Sequence, residues 1–133
     1  MSPNVGKVVI SGGVTGAGGT PSATQFLYTP TSGTFASAPS LSTARSNHAA
    51  ISLSNTNVLI CGGTASGTDT VKTCDLYDHS AGAGSVLVTG SMFEARKDFG
   101  LAPIIISSVV EILAAGNGTV STPMRFAETY NLN

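Results

Sequence analysis

The chain has 133 residues, with six Lys+Arg against seven Asp+Glu, and only 10% of it is charged. No basic stripe appears, which excludes a nucleic-acid binder that works by neutralising phosphates. With 41% hydrophobic residues it is not a chain held open by charge, and its Ser, Thr, Gly and Ala suit short strands joined by small-residue turns.

In chain order, the first segment, MSPNVGKVVISGG, has no apolar run of signal-peptide length. The composition is compatible with an extracellular bacterial protein and leaves the compartment open. KVVISGG reads as a strand ending in the pair Gly12-Gly13. GGVTGAGG (12–19) resembles a phosphate loop, but no helix and no Gly-Lys-Ser/Thr element follows, so no nucleotide site is expected. ATQFLYTP, with Tyr28, and GTFASAPSL follow as strands. LSTAR (41–45) then introduces a run of four strands: HAAISL (48–53), NVLICGG (57–63), VKTCDLYD (71–78) and SVLVTGSM (85–92). Ser54-Asn55-Thr56 suits the first turn among them, and the small residues of 64–70 suit a loop. After MFEAR (92–96) comes LAPIIISSVVEILAAG (101–116). It is shorter than the roughly 18–20 residues that span a bilayer. Glu111 interrupts it and Ser107-Ser108 divides it, so it reads as a buried hairpin and no membrane insertion is expected. Asn117-Gly118-Thr119 is a glycosylation sequon, and RFAETYN, with Tyr130, reads as a last strand.

Three landmarks repeat. β-branched runs end at Gly12-Gly13, at Gly62-Gly63 and, more loosely, at Gly116. Tyr28, Tyr77 and Tyr130 close later strands, 49 and then 53 residues apart, and lie 16, 15 and 14 residues after the first glycine of their unit. Arg45 and Arg96 lie 51 residues apart, each four residues after a large apolar side chain, Leu41 or Met92. A period of about 50 residues is that of kelch repeats. The reading is all-β: one partial domain over 1–133, in units of approximately 5–41, 42–92 and 93–133. About ten strands are expected, with the first unit lacking its first strand and the third its fourth.

At these residues the chain resembles the kelch-repeat β-propeller family along essentially its whole length. The family pattern is a glycine pair after the second strand, a tyrosine after the third, an aromatic in the fourth, and an Arg-x-x-His element entering the next blade. Arg45-Ser46-Asn47-His48 matches that element. TGSM-F-EAR (89–96), with Glu128 two residues before Tyr130, looks more like bacterial, galactose-oxidase-type kelch repeats than animal adaptor types. Phe35 and Val86 take the aromatic positions, Phe99 replaces the histidine of the third unit, and Asn117 replaces a glycine. The resemblance implies four-stranded antiparallel blades, here about two and a half of them.

The candidate chemistry reads as structural. The recurring Gly12, Gly13, Gly62, Gly63 and Gly116 are read as turning the backbone closely. Arg45 and Arg96 are read as tying one unit to the next through backbone carbonyls, since a guanidinium offers five donors. Tyr28, Tyr77 and Tyr130 are read as packing residues with a bonded hydroxyl. His48 and His79 have separate places in the repeat and make no metal site, no serine sits in a nucleophile elbow, and no carboxylates pair, so no cofactor and no catalysis are expected. Cys61 and Cys74 lie near the ends of neighbouring antiparallel strands and are expected as buried free thiols, with a cross-strand disulfide as the alternative. The function expected is binding or scaffolding of a protein, or of a glycan, with the loops 13–22 and 64–70 as the contact surface. The alternative is a fragment of an oxidase- or sialidase-like propeller. The apolar flanks of the outer units predict self-association or packing against further blades.

Overall fold

Runs of Val and Ile interleaved with small residues, bounded by Gly and Ser turns, favour short pleated strands. A computed structural model of the chain describes residues 6–67, 69–117 and 127–130, and all regular structure in them is strand. The chain runs through β1 (Val8–Ser11), the short pair β2 (Val14–Thr15) and β3 (Thr20–Pro21), then β4 (Gln25–Thr29) and β5 (Thr34–Ala38). It continues through β6 (Ala49–Ser52), β7 (Asn57–Cys61), the short pair β8 (Thr64–Ser66) and β9 (Asp69–Thr70), β10 (Thr73–Asp78) and β11 (Ser85–Ser91). The last strands are β12 (Gly100–Ile106), β13 (Val109–Ala115) and β14 (Ala127–Tyr130). Three antiparallel sheets result, in the orders β1-β4-β5, β11-β10-β7-β6 and β12-β13-β14, none of them closed. The sequon Asn117-Gly118-Thr119 lies partly outside the described residues, as do the first and last residues of the outer units.

All ten expected strands are present, and four more are found in the stretches read as open loops. β2 pairs β3 and β8 pairs β9, so 13–22 and 64–70 carry small antiparallel ribbons. Gly16 and Gly19 adopt positive φ at the turn of the first ribbon, which a tight reversal requires. The hairpin of β12 and β13 turns on Ser107 (φ 49°) and Ser108 (φ 66°), consecutive left-handed residues of the kind that match strand twist. The sequence reads as a buried hairpin, and the structure corrects this: its tip is exposed. Ile105 and Val110 are exposed because these strands have seven residues each while β6 has four and β7 five, so the tip runs past its neighbour.

The cysteines correct a second expectation. Cys61 and Cys74 are direct Cα partners on β7 and β10, and they form a disulfide. Their Cα atoms are 4.2 Å apart, the close approach of a pair that exchanges no backbone bond; that bond falls one residue on, from Gly62 N–H to Thr73 C=O. Both are buried.

Two apolar clusters hold the sheets together. Leu27 and Leu41 meet Ile60 and Tyr77 between the first and second sheets. Leu59, the disulfide and Met92 meet Ile112, Ala114 and Tyr130 between the second and third. The register repeats: Val8 faces Tyr28 in the first sheet, Val58 faces Tyr77 in the second, and Ile112 faces Tyr130 in the third. The third unit thus keeps its pairing despite Asn117 and its longer spacing.

Candidate functional site

The recurring arginines form two equivalent junctions. Arg45 is wholly buried, and its own carbonyl accepts the Gly13 N–H of the first unit at 2.9 Å. Its guanidinium reaches the second unit, donating to the carbonyls of Gly62 and Thr73, both at 2.9 Å, and pairing with Asp75 at 3.4 Å. Asp75 is also wholly buried and accepts the Ser42 N–H at 3.0 Å. Burial pulls the Arg45 guanidinium below its ordinary value, and the charge of Asp75 opposes that shift. The pattern recurs one unit on. The Arg96 carbonyl accepts the Gly63 N–H at 2.7 Å, while the Arg96 side chain donates to Gly116 C=O at 2.5 Å and to Glu128 at 2.9 Å. Removing one member of such a buried pair strands the other charge, at a cost of about 3–5 kcal/mol.

The first glycine of each pair makes room for these carbonyls. A Cβ on Gly12 would lie 2.4 Å from the Arg45 oxygen and 2.9 Å from the His48 ring. On Gly62 it would lie 2.5 Å from the Arg96 oxygen and 2.7 Å from the Phe99 ring. Phe99 therefore fills the place in its unit that His48 fills in the one before. Burial, then the nearby Arg45 charge, lowers the His48 pKa below its ordinary value. Tyr77 donates its hydroxyl to Ala83 C=O and Tyr130 to Gly90 C=O, whereas Tyr28 rests its ring on Phe35, centroids 4.8 Å apart.

A separate cleft, of about 520 Å³, opens between the first two sheets at the end where β1 and β7 begin. Val9, Leu27, Val58 and Tyr77 form its floor. Ser52 at the end of β6 and Ser54, Asn55 and Thr56 of the turn after it also line the cleft, beside His79, whose backbone N–H donates to Thr56 C=O at 2.9 Å, and with Lys7. A chain of hydrogen bonds fixes the basic corner. Since Tyr77 donates to Ala83 C=O at 3.0 Å, its oxygen accepts the Nδ1–H of His79 at 3.3 Å. That leaves His79 Nε2 as the acceptor for the Lys7 ammonium, 2.9 Å away. Burial, and then the Lys7 charge, lower the His79 pKa, with Asp78 opposing. Burial, then Asp78, raises that of Tyr77. The corner thus holds a neutral imidazole and an ammonium with protons to spare for an incoming acceptor.

Of the recurring residues, the structure brings Arg45 together with Gly13 and Gly62, and Arg96 with Gly63 and Gly116, and only Tyr77 reaches the cleft. The ribbons at 13–22 and 64–70 lie at the opposite end of the sheets and do not line it. Lys7, His79 and the 52–56 turn were missed because no motif marks them; they converge only through the packing of the two sheets. Asp75 had a signal, its place two residues before Tyr77, matching Glu128 before Tyr130. Among the described residues no three His, Cys, Asp or Glu side chains gather to hold a metal ion, and no helix is long and apolar enough to cross a membrane. No protein-family model matches the chain, and no curated protein matches it in sequence.

Proposed function

We propose that the chain is a binding module built of kelch-type β-propeller repeats, and that its cleft takes an acidic side chain or terminal carboxylate of a protein partner. The observation that carries this reading is the cleft's basic corner, where Lys7 is held by the neutral His79 imidazole in a cleft that is also lined by apolar side chains and by hydroxyl and amide groups. A carboxylate satisfies the ammonium's remaining donors with charge-assisted bonds, the stem above it rests on Val9 and Val58, and the hydroxyl and amide groups donate to its polar flanks. The repeat framework supplies the rigid positions, and the turns supply recognition. The Cys61–Cys74 bridge favours an oxidising compartment, where such bonds persist.

The enzymatic alternative, part of an oxidase- or sialidase-like propeller, needs titratable groups converging on a reacting atom; Lys7 and His79 converge on each other instead.

Titration of the ¹⁵N-labelled chain tests the binding reading. A glutamate-containing tripeptide, acetylated at its N-terminus and amidated at its C-terminus, should shift the amides of Lys7, Val58 and His79 saturably, its glutamine analogue should not, and Lys7→Ala should abolish the response. Shifts produced by glucuronate alone would transfer the site to acidic glycans. No shift with either ligand would remove the cleft from the account.

A further inference from the structure

The register shared by the three sheets leaves one face unmatched. Val8, Ile10, Phe26 and Tyr28 stand in the first sheet where Val58, Ile60, Asp75 and Tyr77 stand in the second, and Ile112, Ala114, Glu128 and Tyr130 in the third. In the second and third sheets this side packs on the sheet before: Ile60, Tyr77 and Ile112 are all 0% exposed. In the first sheet no described residue covers it. Val8 is 49% exposed, Ile10 45% and Phe26 41%, and Phe35, the cross-strand partner of Tyr28, is 63% exposed.

The acid position is a second, independent observation. Where a junction arginine arrives, a carboxylate stands two residues before the tyrosine, Asp75 for Arg45 and Glu128 for Arg96. The first sheet has Phe26 there. A carboxylate covered at that place with no arginine to meet it would be a buried unpaired charge, whereas a phenyl ring is not. This face is therefore suited to an apolar cover that brings no guanidinium.

The outward side of the third sheet has that character among its described residues. Leu113 stands at the position of Leu59, which in the second sheet is fully buried against its neighbour, while Leu113 is only partly buried. Ala102, Ile104 and Ile106 continue the same side on β12. Its charged residue, Glu111, stands at the position of Asn57, the first residue of β7, at the margin of the packed area.

We propose that a second copy of this chain packs the outward side of its third sheet onto the exposed side of the first, continuing head to tail the sheet-on-sheet series inside each chain. The occupant follows from continuity: the two faces are the register equivalents of those that already pack twice within the chain. The inference rests on strand register, on the exposed first face and on the missing carboxylate, and is independent of what the cleft binds.

Sedimentation velocity of the full chain across a wide concentration series tests it. The chain should associate reversibly. Phe26→Asp and Leu113→Asp should each weaken association roughly a hundredfold, because each buries an unpaired charge at the contact. An equimolar mixture of the two should associate again, since each keeps the face the other lost. If an aspartate variant loses its strand spectrum, Phe26→Ser or Leu113→Thr takes its place. A monomer at every concentration overturns the proposal. So does association that Phe26→Asp abolishes and Leu113→Asp leaves intact, because that pattern marks a symmetric contact between two first sheets.

Discussion

Gly62 and Gly67 separate two reasons for a glycine. Both adopt positive φ, 69° and 52°. A side chain on Gly67 would meet nothing within 4 Å, while one on Gly62 would meet the Arg96 carbonyl at 2.5 Å and the Phe99 ring at 2.7 Å. The backbone strain is common to both, and only Gly62 adds a collision with main chain, which cannot swing aside as a flexible side chain can. Gly62→Val should therefore lose about 2 kcal/mol or more beyond what Gly67→Val loses, in line with strained and overpacked sites. Urea unfolding of the two variants measures the difference, and equal midpoints would contradict the junction geometry. The glycine pairs, tyrosines and arginines were legible because each repeats at a fixed interval. Lys7 and His79 were not, because each is a single polar residue whose meaning comes only from a neighbour 72 positions away.

At the scale of the element, strand order followed from the sequence wherever β-branched runs were bounded by turn residues. The ribbons at 13–22 and 64–70 escaped because two or three paired residues carry no readable alternation. The exposed tip of the β12–β13 hairpin escaped because an apolar run announces a strand but not the length of the strand beside it. The disulfide escaped because pairing depends on register: Cys61 and Cys74 would have faced opposite sides of the sheet had the strands slipped by one residue. The bridge joins residues 13 apart, so it should contribute about 3 kcal/mol by restricting the unfolded chain. Unfolding with and without reductant checks this. The reduced chain should unfold at lower denaturant, and thiol titration of the denatured, unreduced chain should find Cys61 and Cys74 unreactive. Two reactive thiols would contradict the pairing.

For the molecule as a whole, two apolar clusters and two arginine junctions join the three sheets. These junctions should couple the sheets into one unfolding unit, and the Gly13 and Gly63 amides report on that coupling directly. Neither bonds within its own sheet; each donates to an arginine carbonyl of the next unit, Gly13 to Arg45 and Gly63 to Arg96. Native-state hydrogen exchange reads such bonds one by one. If the junctions couple the sheets, Gly13 and Gly63 should exchange as slowly as Leu59 and Ile60 in the core strand β7. Exchange of either glycine as fast as the turn amide of Gly18, with Leu59 still protected, would show that the sheets open independently and would contradict the account.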